Sequence, residues 1–236
     1  GDSALDWTIE LSKIAKKVGA KVIIGNVFAT PILQKPLELG VDIVVYSGTK
    51  HIDGQGRALG GAIISDKEYY EKHLKPYMRH TGASLSPFNA WIMLKGLETL
   101  KLRVEHQSDS ALKLAEYYLK HSKIKKVIYP SQKTHDQYNL IQSQMSKGGT
   151  LLTMILDGGK KEVFKMLNNL EIIDISNNLG DTKSLITHPA TTTHYSLGEE
   201  GRKEAGIPDG MIRLSVGLEN PDDLIDDLDT ALGKIK

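Results

Sequence analysis

The residues best suited to covalent chemistry occupy one short stretch, Tyr46-Ser-Gly-Thr-Lys-His-Ile-Asp-Gly-Gln-Gly-Arg57. An apolar run ends there, Ser47 and Thr49 supply hydroxyls just before Lys50, and glycines follow. At the carboxyl end of a strand, hydroxyls and backbone N–H groups suit a phosphate, and partial desolvation favours the uncharged lysine amine that attacks a carbonyl. The same pattern also fits a solvated loop lysine, and by itself it favours that simpler interpretation.

Other polar residues that could take part in chemistry are scattered along the second half of the chain. Arg213 could bind a carboxylate with its planar guanidinium, although an ion pair on an exposed strand is the simpler interpretation. His188 and His194 have no carboxylate at a recognisable metal-binding spacing, which indicates structural histidines. The aspartates between Asp222 and Asp229 form an acidic run, in which the first members favour a helix N-terminus and the others predict a solvated face.

The composition excludes several classes of function. The 236 residues are 40% hydrophobic and 25% charged, with a formal net charge of +1. This gives no support to binding nucleic acid or a membrane surface. The absence of cysteine excludes disulfides, thiolate catalysis and Cys-ligated metal sites. No apolar run approaches the roughly 20 residues of a membrane helix, and no signal peptide is recognisable, so we expect a cytoplasmic protein, complete or partial.

The elements that must position Lys50 alternate between helices and short apolar strands. Apolar residues from Leu5 to Val18 predict a helix that ends at Gly19, and a second helix is predicted from Ile32 to Leu39, ended by Gly40. Apolar runs predict strands buried on both faces at 22–24, 43–45 and 62–64. This alternation predicts an α/β unit with a mostly parallel sheet.

The second half of the sequence predicts an α+β domain. Ser86 and Pro87 predict the start of a long helix that reaches about His121 and could bridge two domains. Three strands are then predicted, at 126–129, 150–156 and, half-exposed, 211–217. Two further helices are predicted at 160–170 and 221–235.

Longer motifs carry a resemblance to a known family. Three successive segments are similar, in order and spacing, to the cofactor-lysine region of the pyridoxal-phosphate enzymes of Cys/Met metabolism: Asn26-Val-Phe-Ala-Thr-Pro31, Gln34-Lys-Pro-Leu-Glu-Leu-Gly40 and Asp42-Ile-Val-Val-Tyr-Ser-Gly-Thr-Lys50. Segments 51–57, 86–91, 175–194 and 209–219 resemble the O-succinylhomoserine sulfhydrylase branch in particular. The similarity extends over essentially the whole chain.

The resemblance implies a fold and a set of site residues. The chain would be the C-terminal part of a fold-type-I enzyme, with residues 1–105 ending the large α/β domain and residues 106–236 forming a small α+β domain. Lys50 would bind pyridoxal 5′-phosphate covalently and move protons at the substrate α- and β-carbons. The cofactor phosphate would bind Ser47 and Thr49, and the substrate α-carboxylate would bind Arg213 and Asn178.

Two features depart from the family pattern. Gly25 occupies the position of an aspartate that pairs with the pyridine nitrogen of the cofactor, so the resemblance predicts strongly reduced catalysis here. Gly48 replaces a common alanine, which we expect to loosen the turn. Family members also carry an N-terminal region with further cofactor-binding residues, which these residues do not include.

The implied activity belongs to methionine biosynthesis. An activated homoserine ester, O-succinylhomoserine, would react with sulfide to give homocysteine. Cystathionine γ-synthase and γ-lyase activities stay open, as does a catalytically impaired remnant. The implied partners are an amino-acid substrate, sulfide and other copies of the same chain in a homotetramer, with no nucleic acid and no membrane.

Overall fold

The computed structural model describes residues 8–235 as two compact units. The first contains the chain up to Lys101 together with Asn139–Ser146, and the second contains Leu102–Tyr138 and the chain from Lys147 onwards. Leu5, where the first predicted helix begins, lies outside the described residues. The domain boundary near residue 105 stays a prediction.

The first unit alternates helices and short strands up to the long helix that follows Ser86. Its elements are α1 (Thr8–Lys17), β1 (Ile23–Gly25), α2 (Thr30–Leu33), a 3₁₀ turn (Pro36–Leu39), β2 (Ile43–Ser47), β3 (Gly61–Ser65), α3 (Lys67–Tyr69), a π-type segment (Tyr70–Leu74), α4 (Lys75–Thr81), the start of α5 (Pro87–Tyr118) and α6 (Tyr138–Gln144). The predicted start of α5 is confirmed, since the Asn89 N–H donates to Ser86 Oγ at 3.2 Å. The helical segments from Lys67 to Thr81 were not predicted.

The sheet of the first unit has the order β1-β2-β3. β1 runs parallel to β2, whereas β3 runs antiparallel to it. The expectation of a mostly parallel sheet was therefore half wrong. Residues 48–60 return the chain directly to the neighbouring edge, and a parallel strand would have required a crossover connection.

Within the described residues, the two faces of this sheet differ in burial. Val44 and Tyr46 of β2 pack with Ile52, Ile92 and Met93 in a small apolar core. On the other face Ile23, Val45 and Ile63 expose 61%, 36% and 48% of their surface. Within residues 8–235 these side chains are not covered, although the apolar runs predicted strands buried on both faces. An apolar run alone does not specify what covers each face.

The helix predicted from Ile32 to Leu39 is broken in two. Gln34 is extended after α2, and the 3₁₀ turn begins at Pro36. Proline lacks an N–H and disfavours helical geometry in the residue before it, and Lys35 has φ −118° and ψ 84°. Gly40 ends the segment with φ +94°, as predicted for a helix-terminating glycine.

The second unit combines a mixed sheet with flanking helices. Its elements after α5 are β4 (Ile124–Ile128), β5 (Leu151–Leu156), α7 (Lys160–Leu167), β6 (Asp174–Ile175), β7 (Leu185–Thr187), α8 (Gly198–Glu204), β8 (Met211–Ser215) and α9 (Pro221–Gly233). The strand order is β4-β5-β8-β7-β6. The short strands β6 and β7 and helix α8 were missed by the sequence interpretation.

Strand β8 occupies the centre of this sheet. Ile212 and Leu214 pack into the apolar core of the unit, and Met211 and Ser215 on the opposite face are also buried. The prediction of a half-exposed strand was wrong, because both faces of the strand are covered in the folded unit. Arg213 alone retains partial exposure within it.

The acidic run on α9 is not simply a solvated face. The Asp227 carboxylate is buried and accepts hydrogen bonds from the N–H groups of Glu171, Ile172 and Ile173 at 2.8–3.1 Å. Asp229 accepts a hydrogen bond from the Tyr118 hydroxyl at 3.0 Å. These two aspartates fix the helix to its neighbours, whereas Asp222 lies in the first turn as predicted.

Candidate active site

Lys50 lies in a wide turn, Gly48–Ile52, that follows β2 directly. The turn, called the lysine turn below, is closed by the Asp53 N–H, which donates to the Gly48 carbonyl at 2.8 Å. The Gly54 N–H donates to the Lys50 carbonyl, also at 2.8 Å. Hydrogen bonds of the i→i+5 type are rare and often occur at functional sites. Lys50 itself departs from helical geometry, with φ −87° and ψ −123°.

Two hydroxyls flank the entry to the lysine turn. Ser47 ends β2, is partly exposed, and its hydroxyl has no partner among residues 8–235. Thr49 Oγ1 accepts a hydrogen bond from the Gly60 N–H at 3.2 Å. Because a hydroxyl carries one donor and two acceptor positions, both side chains keep a proton to donate to an anion.

The glycine-rich loop after Lys50 is held by a buried carboxylate. Asp53 accepts hydrogen bonds from the backbone N–H groups of Arg57 and Ala58 and from Arg57 Nε at 2.9 Å. Gly54 and Gly56 have φ +71° and +63°, which favour glycine. The role of this part of the motif is therefore structural: it closes the loop that returns to β3.

Gly25 is the last residue of β1, the strand that pairs with β2, and β2 leads directly into the lysine turn. It pairs with Val45, and the following Asn26 N–H donates to the Val45 carbonyl at 3.1 Å. The carboxyl ends of β1 and β2 therefore lie side by side, which is where ligands bind in open α/β sheets. A Cβ built on Gly25 meets no atom within 4 Å, so a side chain would fit at this position.

A polar node follows Gly25 that sequence interpretation did not single out. Asn26 Nδ2 lies 3.0 Å from the Thr30 and Gln34 carbonyls and 3.1 Å from the Tyr46 hydroxyl. Thr30 has φ +58°, an uncommon conformation for a β-branched residue. Burial raises the pKa of the Tyr46 phenol. In the sequence, Asn26 follows a predicted strand and stands with Thr30 in the first motif of the family resemblance, but no role was assigned to either residue.

In the second unit, Arg213 and Asn178 are close together. Arg213 Nη2 donates to the Asn177 carbonyl at 2.9 Å and to the Asn178 carbonyl at 3.3 Å. Arg213 Nε is buried and has no hydrogen-bond partner among residues 8–235, and burial lowers the pKa of the guanidinium. The interpretation of Arg213 as an exposed ion pair was therefore wrong, and a cationic donor remains available to an anion.

The loop that carries Asn178 is anchored on both sides. Gly180 donates its N–H to Ser215 Oγ at 2.9 Å, and Gln107 Nε2 donates to the Asp181 carbonyl at 2.6 Å. Farther along, Ser184 donates its N–H and its hydroxyl to the Glu219 carboxylate at 2.7 and 2.8 Å. Sequence interpretation missed these supporting residues, because residues far apart in the chain meet only in the folded unit.

The two histidines considered in the sequence analysis, His188 and His194, have hydrogen-bonding contacts within the second unit. His188 is buried, with Nδ1 2.9 Å from Thr191 Oγ1 and Nε2 2.8 Å from the Asp209 carbonyl. His194 Nδ1 lies 2.8 Å from Thr193 Oγ1. Across the described chain, no group of three His, Asp or Glu side chains could hold a metal ion. No helix within residues 8–235 is long and apolar enough to cross a membrane.

The predicted site residues fall into two groups. Gly25, Ser47, Thr49 and Lys50 lie at adjoining strand ends in the first unit, and Arg213 and Asn178 lie together in the second.

A model of the Cys/Met metabolism pyridoxal-phosphate-dependent enzymes matches residues 6–233. The chain belongs to this family. It is 55% identical over 226 residues to an O-succinylhomoserine sulfhydrylase of Mycobacterium tuberculosis, covering 94% of this chain and 56% of that protein. It is 42% identical over 227 residues to an L-methionine γ-lyase of Fusobacterium nucleatum, with coverages of 95% and 58%. The chain thus spans somewhat more than half the length of these curated relatives.

Solved structures of this Cys/Met metabolism family share the fold. A cystathionine γ-synthase of Xanthomonas oryzae pv. oryzae superposes with a TM-score of 0.93 at 36% identity, covering 97% of this chain and 59% of that one. A cystathionine γ-lyase of Micromonospora echinospora gives 0.92 at 35% identity. The predicted fold class, part of a fold-type-I enzyme, is confirmed.

The residues of the first unit fit the family cofactor, pyridoxal 5′-phosphate. Ser47 and Thr49 have hydroxyl protons available for a phosphate, and the amine of Lys50 is borne by the same turn. The donor set lacks an acceptor for a protonated ring nitrogen at Gly25, but the space for such a side chain is open.

Proposed function

We propose that the protein containing this chain is a pyridoxal-phosphate-dependent sulfhydrylase, which converts O-succinylhomoserine and sulfide into homocysteine and succinate. The observation that carries the proposal is the lysine turn, where Lys50 and two hydroxyl donors meet at the carboxyl end of β2, beside the end of β1. The choice of a succinyl ester is supported by the 55% identity to an O-succinylhomoserine sulfhydrylase.

Ser47, Thr49 and Lys50 each have a role in this proposal. The bound cofactor supplies an electron-withdrawing ring that stabilises negative charge next to the amino-bearing carbon. Ser47 and Thr49 hold its phosphate by donating hydroxyl protons. Lys50 Nζ would hold the cofactor, and its amine would act as the base that removes the substrate Cα proton and exchanges protons at Cβ. In the net reaction, succinate would leave from Cγ and hydrosulfide would add there.

The substrate α-carboxylate would bind Arg213. Its Nη2 is held by the Asn177 and Asn178 carbonyls, while the buried Nε still lacks an acceptor. An incoming carboxylate supplies that acceptor, and a planar guanidinium binds it in two-pronged geometry. Asn178 contributes through its backbone carbonyl, which orients the guanidinium. We propose that both residues act on the substrate and that the intact protein is a homotetramer.

Two other functions are favoured by specific observations. The identity to L-methionine γ-lyases and the resemblance to cystathionine γ-synthase structures favour elimination or cysteine addition on the same machinery. Gly25, which has no carboxylate for the ring nitrogen, favours a cofactor-binding protein with little catalysis.

The test uses the intact protein mixed with pyridoxal phosphate. We expect a visible absorbance band, and borohydride reduction followed by peptide mapping should attach the label to Lys50. Lys50→Ala should abolish both, whereas Lys183→Ala, which changes an exposed lysine, should change neither. Label scattered over other lysines would refute the proposal.

The substrate is then tested with protein that has been mixed with pyridoxal phosphate but not reduced with borohydride. O-Succinylhomoserine with sulfide should yield homocysteine. Cystathionine formed only with cysteine would favour a γ-synthase, and 2-oxobutanoate with ammonia would favour a γ-lyase. Specific labelling of Lys50 without turnover of any of these would favour the impaired protein.

A further inference from the structure

Two glycines of the first unit leave a gap beside the lysine turn. Gly48 donates its N–H to the Gly60 carbonyl at 2.8 Å, and the Gly60 N–H returns to Thr49 Oγ1 at 3.2 Å. These two hydrogen bonds tie the start of the lysine turn to the residue before β3. The backbone segments around Gly48 and Gly60 therefore form one clasp, which holds the phosphate-binding hydroxyl of Thr49.

Met93 of α5 fills this gap. A Cβ built on Gly48 would lie 2.7 Å from Met93 Sδ and 3.0 Å from Met93 Cε, and one built on Gly60 would lie 2.5 Å from Cε. Such distances are far shorter than an ordinary contact between carbon and carbon or sulfur. The thioether thus occupies the space that side chains at both glycines would need, and it is itself buried.

One helical turn farther along α5, the backbone approaches the other end of the lysine turn. A Cβ on Gly96 would lie 2.0 Å from the Ile52 carbonyl oxygen and 3.1 Å from the Asp53 carbonyl oxygen. Positions three apart share a face of a helix. The same face of α5 therefore contacts the beginning of the lysine turn through a side chain and its end through close backbone contact.

We propose that Met93 is a positioning residue for the lysine turn: by filling the space between Gly48 and Gly60, it fixes Thr49 and Lys50 for the cofactor. This inference rests on the proposed cofactor role of Lys50. An unbranched thioether suits an irregular gap between two backbone segments. Removing it would leave the clasp supported by its hydrogen bonds and by Leu85, whose Cδ1 lies 2.8 Å from the Cβ position of Gly60. The position of Met93 also explains why glycine occupies position 48, because an alanine there would compete with Met93 for the same space.

The first measurement needs no cofactor. Hydrogen exchange in the cofactor-free intact protein reports on the amides of Asp53, Gly54 and Gly60, which close the turn and the clasp. Met93→Ala should raise exchange across residues 48–60. The matched control is Met145→Ala, a buried methionine of the same unit that is not among the atoms near Gly48 or Gly60. It should lower the melting temperature without changing exchange there.

The second measurement is cofactor affinity, titrated by absorbance below the melting temperature of each variant. Met93→Ala and Gly48→Ala should each weaken pyridoxal-phosphate binding by roughly 10-fold, equivalent to about 1.4 kcal/mol. In the Met93→Ala background, Gly48→Ala should weaken binding by much less, since its main collision partner is gone. Met93→Leu, similar in volume, should stay near wild type.

Gly96→Ala distinguishes side-chain from backbone crowding. The Cβ added at Gly96 would collide with the Ile52 carbonyl oxygen. Met93→Ala should therefore not relieve the effect of Gly96→Ala on cofactor binding or on hydrogen exchange.

The outcomes separate the two proposals. Unchanged exchange at 48–60 in Met93→Ala, or Gly48→Ala and Met93→Ala effects that simply add, would overturn the role of Met93. Absence of cofactor labelling at Lys50 in the wild-type protein would refute the proposed function. The exchange measurement would in that case still decide whether Met93 orders the turn.

Discussion

Replacing Gly25 by aspartate tests the largest departure of this chain from its family. Gly25 ends β1 beside Val45, on the exposed side of the sheet, and its Cβ position has no neighbour within 4 Å. Its φ lies outside the left-handed region, so an aspartate needs no change of backbone. A carboxylate would then stand one strand away from the lysine turn, at the sheet edge where we propose that the cofactor ring lies.

The expected size of the effect follows from two separate estimates. A hydrogen bond that involves a charged group contributes about 1.5–3 kcal/mol, which corresponds to roughly 10- to 150-fold tighter cofactor binding at about 1.4 kcal/mol per factor of ten. For folding, the loss of glycine freedom stabilises by about 0.4–1 kcal/mol, and the poor strand preference of aspartate opposes this by a similar amount. The free energy of unfolding should therefore change by less than ~0.5 kcal/mol.

The assay compares cofactor affinity and turnover in the intact protein with Gly25, Gly25→Asp, Gly25→Asn and Gly25→Ala. Asparagine has nearly the same shape without the charge, so it separates charge from volume. We expect tighter binding and faster turnover of O-succinylhomoserine only with aspartate. Equal behaviour of the aspartate and asparagine variants, or no gain with either, would refute the assignment of Gly25 to the ring-nitrogen position.

Three further predictions concern other parts of the chain. Arg213→Lys keeps the charge but loses the planar guanidinium, which can bind the backbone carbonyls and the substrate carboxylate at the same time. KM for the ester should therefore rise roughly 10-fold or more, with a smaller change in kcat. An unchanged KM would contradict the proposed role of Arg213. Asp227→Asn should lower the free energy of unfolding by about 1–3 kcal/mol in urea titrations, because three backbone N–H groups lose a buried charged acceptor. Asp226→Asn, an exposed change, should have little effect. The Val22 N–H and then Lys21 lower the pKa of the Asp42 carboxyl below 3.8. Asp42 should thus stabilise the fold above that pH and lose this contribution as pH falls through its folded-state pKa. Asp42→Asn should therefore be destabilised at pH 6, and its difference from wild type should shrink as the pH falls through that pKa; a difference that does not change with pH would contradict this.

Local patterns predicted elements well where one residue dominates the outcome. Pro87 after Ser86 starts α5, and Gly40 ends its segment in the left-handed conformation. The same reasoning failed at Pro36, where the apolar spacing of a helix was given more weight than the missing N–H. Local rules thus work when they concern steric limits of the backbone, and weaken when two of them compete.

Burial was predicted less well than the elements themselves. The apolar runs of β1 and β3 were expected to be covered on both faces and are exposed on one, whereas the alternating β8 was expected to be half-exposed and is central. The residues of a strand determine which of its faces are apolar, but the elements that pack against the strand determine which faces are covered. Those elements come from distant parts of the sequence.

The sequence by itself determined the family, the lysine at a strand end, the flanking hydroxyls and the missing carboxylate at Gly25, because each of these is a residue type at a fixed spacing. Only the tertiary structure decided that Met93 lies between Gly48 and Gly60, that Asp227 serves three N–H groups, and that Arg213 keeps an unpaired buried Nε. These features depend on contacts between residues remote in the chain. Packing and hydrogen bonding within the folded units bring such residues together, and no local pattern encodes them.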